Sequence, residues 1–172
     1  MRNVVKLDID NPEHAHFMHD LAVECKDEFI SDYDPELPAI MNAYNRAIHA
    51  GDTVAFLCKV NGQNAGIIWV DIDRYKIGYL HAGLMPEFRK GWNALAFLRE
   101  FVGFCFSTLR LESVEAHLPK YNKPAEKLVR RLVFEKYGLR PYSQRVNGQS
   151  QSHVLLALTR QSYEAKYGQR RK

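Results

Sequence analysis

Cysteine is scarce in this chain, and what there is does not suggest pairing. Cys25, Cys58 and Cys105 are the only three among 172 residues, far apart and each within an apolar-patterned segment. An odd, scattered set argues against a disulfide framework and lacks the close spacing of a zinc site, so a reducing, cytosolic setting and no bound metal are expected. No apolar run approaches the ~20 residues that cross a bilayer, and the first residues lack the basic-then-apolar pattern of a secretory leader. Internal repeats and low-complexity tracts are missing too. Glycine and proline number 10 and 7, enough to punctuate turns and too few for a disordered composition. With 46% hydrophobic and 26% charged residues, what remains is one globular domain large enough for a real core. That domain is expected over 1–160, with a basic tail over 161–172.

Charge is present but uneven. Residues 1–50 hold 4 Lys/Arg against 10 Asp/Glu, whereas the whole chain carries +4. The segment from Thr159 contains Arg160, Lys166, Arg170, Arg171 and Lys172 against Glu164. A short basic end is ordinarily a solvated surface, so nucleic acid and membrane are set aside as partners.

The apolar pattern changes period along the chain. Val4 to Asp10 reads as a strand, and Asn11-Pro12 as the cap and first turn of a helix carrying Phe17, Leu21, Ala22 and Cys25. A second helix bears Ile40, Met41, Tyr44 and Ile48 and stops at Gly51. Val54, Phe56, Cys58 and Val60 alternate, then Asn61-Gly62 marks a type I′ hairpin into Ala65–Val70. Ile77–Met85 reads as another strand. Leu95, Leu98, Phe101, Val102, Cys105 and Leu109 mark a long helix at i, i+3, i+4 spacing. Phe101 and Phe104 fall on its core stripe, Phe97 and Phe106 off it, and so broad an apolar face calls for cover beyond the sheet, a homodimer partner being one source. A strand through Val114, Ala116 and Leu118, a short helix from Asn122-Pro124, and a hairpin around Asn147-Gly148 complete the order β-α-α-β-β-β-α-β-α-β-β. An α/β fold with a mixed, mostly antiparallel sheet flanked by helices follows.

The stretch Leu84-Met85-Pro86-Glu87-Phe88-Arg89-Lys90-Gly91-Trp92-Asn93-Ala94 joins a strand to the long helix through a basic, glycine-containing loop. Free N–H groups and the positive end of the helix dipole make such a loop an anion site, suited to phosphate or pyrophosphate. His81 on the entering strand, and Glu115 and His117 sharing one face of a later strand, are candidate proton acceptors. His14, His16 and His19 do not converge on a helix, where the first two diverge by about 200°, so a surface cluster beside Asp20 is expected in place of a metal site. The Asp8/Asp10, Asp32/Asp34 and Asp71/Asp73 pairs suit turn chemistry, and Asp32 and Asp34 would also attract a cationic amine.

This order and these residues resemble the GNAT superfamily of acyl-CoA-dependent N-acetyltransferases. Pro86-Glu87-Phe88-Arg89 and Ala94 match the family's cofactor loop, with Trp92 at its middle glycine and Gly91 one place early. Asn122, Ala125, Leu128 and Phe134 match a second motif, with Val129 where many relatives carry a catalytic tyrosine and Val133 in place of a glycine. Phe134-Glu135, Arg145, Ser152-His153-Val154-Leu155 and Thr159-Arg160 resemble the branch acting on protein N-termini and small amines. The resemblance implies transfer of acetyl from acetyl-CoA, as co-substrate, to a primary amine of a protein or small molecule. It places the cofactor on Leu84, Met85, Arg89, Lys90, Gly91, Trp92, Asn93, Ala94 and Asn122. His81, Glu115 and His117 become candidate bases, and Tyr121 the substitute acid nearest to Val129. The departures at Trp92, Val129 and Val133 also fit an alternative, a GNAT-fold binding module without catalysis.

Overall fold

The computed structural model describes residues 4–25, 37–89 and 93–168. In chain order the elements are β1 (Val4–Lys6), α1 (Pro12–Glu24), α2 (Leu37–Ala50), β2 (Thr53–Val60), β3 (Gln63–Ile72), β4 (Ile77–Leu84), a short 3-10 turn (Pro86–Phe88), α3 (Asn93–Ser107), β5 (Ser113–Pro119), α4 (Lys123–Arg130), β6 (Glu135–Val146), β7 (Gln149–Thr159) and α5 (Arg160–Tyr167). The sequence pattern places most of these. β1 is shorter than its apolar pattern suggests: Leu7 makes a last bond to Ala55 of β2 at 2.9 Å, and Asp8–Asn11 then close a turn. The chain continues past β7 into a helix, capped by the Thr159 side chain, over residues expected to be a tail.

Local chemistry explains several boundaries. Asn11 and Asn122 each accept from a backbone N–H of the helix they open, with proline in the first turn. Asn61-Gly62 and Asn147-Gly148 all take positive φ, the type I′ turns their sequence announces.

One seven-stranded sheet runs β1-β2-β3-β4-β5-β7-β6, antiparallel except where β4 meets β5. Alternation along each strand separates two cores. Phe56, Ile68, Val70, Leu80, Val114, Ala116, Leu156 and Leu158 face α3 and α4. Ala55, Leu57, Ile67 and Trp69 face α1 and α2. In α3, Leu98, Phe101, Val102 and Cys105 are buried, at about 1.5–3 kcal/mol for each large apolar side chain. Phe97 and Phe106 are buried as well, although the stripe leaves them at its margin. Tyr163 of α5 stacks on Phe106 at 4.7 Å, and Phe97 walls a cleft beside α4.

Candidate active site

The sheet opens between β4 and β5. The two strands pair only at Ile77–Ser113, Gly78–Val114 and Tyr79–Glu115. Beyond Tyr79 and Glu115 they diverge, β4 to Leu84 and β5 to Pro119. On the α3 face the split widens into a cleft of about 440 Å³. Its walls include Leu80, Ala82 and Leu84 of β4, Ala94 and Phe97 of α3, and Asn122 and Val129 at α4.

The edge of β4 along the split carries backbone polar groups. The N–H of Met85 donates to the Ala65 oxygen at 3.0 Å, and that of Asp73 to the Ile77 oxygen at 3.0 Å. Odd-numbered residues of β4 therefore carry the ladder to β3. Leu80, Ala82 and Leu84 turn their N–H and C=O groups toward the split. Both backbone groups of Met85 are engaged, since its oxygen accepts from the Phe88 N–H at 2.9 Å. On this edge the Leu84 oxygen is engaged as well, by Arg89 Nε at 2.9 Å.

The opposite face of the sheet bears two histidine–carboxylate pairs, one on each lip. His81 lies two residues beyond the last β4–β5 pair, and His117 occupies the equivalent place on β5. The His81 ring stacks on Trp69, 4.9 Å between centroids and 9° from parallel. Its Nε2 is buried and sits 3.0 Å from Asp71 Oδ2, a close but bent contact. The hydroxyl of Thr53 donates to the other carboxylate oxygen, Oδ1, at 2.5 Å. Burial pulls the Asp71 carboxyl upward, but the close His81 imidazole and the hydrogen bond from Thr53 outweigh it and hold it below the ordinary carboxylate range.

On the β5 lip, His117 Nε2 lies 3.0 Å from Glu115 Oε2 and 3.2 Å from the Tyr137 hydroxyl. Tyr137 donates to the same Glu115 oxygen at 2.5 Å. A register shift between Lys136 and Gly138 carries this tyrosine, and sequence reasoning missed it because a bulge breaks the alternation. Burial, then the hydrogen bond to Glu115, push the Tyr137 phenol well above its usual value, so it stays protonated and donates. The Tyr79 ring meets His117 edge-on at 5.7 Å. His153 on β7 is held below the usual imidazole range by burial and by the charges of His117 and Arg140.

The remaining expected residues divide. Ala94 and Asn122 line the cleft, where the Asn122 side chain accepts from the Ala125 N–H at 3.2 Å. Arg89 lines it too, with Nε donating to the Leu84 oxygen at 2.9 Å and Nη2 lying 3.2 Å from Cys25 Sγ. Tyr121 is 49% exposed in the turn before α4 and stands apart from the cleft wall. Val129 is buried in that wall. Val133 holds φ at +64°, so the left-handed backbone expected of a glycine persists with a β-branched residue in it. Lys90, Gly91 and Trp92 lie outside the described residues, as do Asp32 and Asp34 and the side chain of Asn93. His16 and His19 are surface residues, each within 4 Å of Asp20.

No protein-family model matches the sequence, and no curated protein matches it. Solved structures do match. A spermidine N-acetyltransferase from Vibrio cholerae, in complex with CoA and spermine, superposes with a TM-score of 0.80 at 17% identity, over 93% of this chain and 96% of that one. RimJ from Mycobacterium smegmatis, in complex with CoA-disulfide, superposes with a TM-score of 0.75 at 14% identity, over 96% and 88%. Both likenesses cover nearly the whole chain, and at such identities what they establish is architecture. The fold of this chain is that of the GNAT N-acetyltransferases.

Proposed function

We propose that the chain is an acetyl-CoA-dependent N-acetyltransferase acting on a primary amine presented at the α1–α2 face of the sheet. One observation carries the reading: the β4–β5 split has an apolar cleft on one face and a histidine–carboxylate pair on each lip of the other. The cleft has the size of a small-ligand site. The β4 edge from Leu80 to Leu84 would take the pantetheine arm as an added strand. The start of α3 at Asn93, with the basic sequence that precedes it, would take the pyrophosphate. Acetyl-CoA supplies an activated acetyl thioester.

The chain's own groups then divide the work. With Nε2 turned to Asp71, His81 receives the amine proton on Nδ1. An N–H of β4 facing the split polarises the thioester carbonyl. Glu115 and His117 orient the amine from the opposite lip. Val129 offers no proton, and Tyr121 stands apart from the cleft, so solvent water supplies the proton to the leaving thiolate. The excess acidity of residues 1–50 favours cationic acceptors, and the solved neighbours include a spermidine acetyltransferase. Three free, buried cysteines suit work in the cytosol.

A release assay for the CoA thiol, run with spermidine, a peptide bearing a free N-terminus and lysine, tests the reading. Amine-dependent release that disappears in His81→Gln is expected. Binding of acetyl-CoA without release by any amine would instead support the non-catalytic module, which Val129 and the tie between Arg89 and the Leu84 oxygen favour.

A further inference from the structure

Thr53 is the one polar side chain among the described residues that is fully buried, at 4% exposure. It opens β2, directly opposite Asp71 on β3, which in turn lies opposite Tyr79 on β4. The same face of β2 continues with Ala55 and Leu57 against the α1–α2 core. Packing alone would be served there by valine, which has nearly the shape of threonine. The hydroxyl instead donates to Asp71 Oδ1 at 2.5 Å, leaving Oδ2 for His81 Nε2 at 3.0 Å. The one hydrogen bond to this carboxylate among those described thus comes from Thr53, and it keeps the second oxygen turned to the imidazole. Trp69 fixes the plane of the imidazole by stacking.

We propose that Thr53 is a positioning residue, its hydroxyl orienting the Asp71 carboxylate and through it the His81 imidazole. The inference rests on the reading of His81 as the base. In this arrangement the nearby Asp71 carboxylate favours the proton of His81 on Nε2, which leaves Nδ1 as the ring's acceptor. Without the hydroxyl the carboxylate is free to turn, and the imidazole loses its single tautomer.

Thr53→Val removes the hydroxyl while keeping the volume, and Thr53→Ser restores it. Steady-state kinetics would be read beside the nitrogen NMR signature of the His81 ring in the full chain. In Thr53→Val, kcat is expected to fall by about tenfold, the scale of one lost hydrogen bond to a charged group, with KM for acetyl-CoA unchanged. The ring signal should move from one tautomer to a mixture, and Thr53→Ser should recover both. Wild-type tautomer and kcat in Thr53→Val would overturn the proposal. So would a loss that serine does not repair, since that would make the role one of packing. If the wild type turns over no amine but its tautomer still changes in Thr53→Val, the orienting role stands and the enzymatic reading fails.

Discussion

Arg89 donates through Nε to the carbonyl oxygen of Leu84 at 2.9 Å, placing its guanidinium at the end of the β4 edge. The same side chain reaches Cys25 at the end of α1, so it links the loop after β4 to the helices of the acceptor face. In Arg89→Ala the unliganded protein should lose about 1 kcal/mol, or about 2–4 °C in Tm for a domain of this size. The stabilisation by acetyl-CoA should shrink as well, through loss of positive charge at the phosphate end. Thermal denaturation with and without ligand measures both effects. An unchanged ligand shift would place the phosphates away from Arg89.

Gly66 sits opposite Leu84, where β3 meets the lip of the cleft. A Cβ there would come within 2.2 Å of the Gly83 oxygen and 2.5 Å of Leu84 Cδ2. A backbone oxygen cannot step aside as a side-chain tip would. Gly66→Ala should therefore cost more than about 2 kcal/mol and weaken acetyl-CoA binding by displacing the β4 edge. Chemical denaturation and a ligand titration check it, and wild-type stability would show that the strand gives way without cost.

Val133 shows how a departure from a motif can be read. The resemblance expects glycine there, and the backbone keeps the left-handed conformation that glycine would favour, φ +64°. Strain relief in Val133→Gly should nearly offset the lost packing and the added chain entropy, leaving stability within about 1 kcal/mol of wild type. A loss above about 2 kcal/mol would mean that the valine side chain matters more than the strain.

Much of this was legible in the sequence for identifiable reasons. Helix stripes, Asn-Gly turns and Asn-Pro caps are local signals, and they located the strands and helices to within a few residues. His81 was legible as a candidate because it lies near the end of the strand entering the loop, and Glu115 and His117 because alternation placed them opposite Val114, Ala116 and Leu118. Their partners were not. Trp69 and Asp71 meet His81, and Thr53 meets Asp71, only through the register of three strands, and Tyr137 reaches Glu115 where a bulge interrupts the ladder. The split was equally hidden, since nothing in Ile77–Leu84 announces where its pairing with β5 ends. Phe106 looked marginal because α5, which covers it, read as a polar tail.

Asp71 links the site to pH. Its folded-state carboxyl is depressed below the unfolded value, so its contribution is fully present above about pH 4 and is lost as pH falls through the folded value. The difference in Tm between wild type and Asp71→Asn should be present at pH 5 and should shrink below pH 4. A difference that persists to pH 2 would contradict the assignment.

The cysteines bear on assay design. Burial, reinforced by the charge of Glu100, raises the Cys58 thiol to about 12, and burial raises that of Cys105 to about 12. Cys25 is buried at 1% exposure. None of the three should react with a thiol reagent in the folded protein at pH 8, and all three should react in denaturant. Rapid native labelling would show that the α1 end or the core opens.

Acetyl-CoA binding tests the central claim most directly. At a free concentration one hundred times Kd, a ligand of the folded state adds about 2.7 kcal/mol, which should raise Tm by about 5–10 °C here. Both acetyl-CoA and CoA should produce the shift, and Ala82→Trp, which fills the cleft between β4 and α3, should remove it while the chain stays folded. No shift at millimolar acetyl-CoA, or a full shift in Ala82→Trp, would contradict the assignment of the β4–β5 split as the acetyl-CoA site.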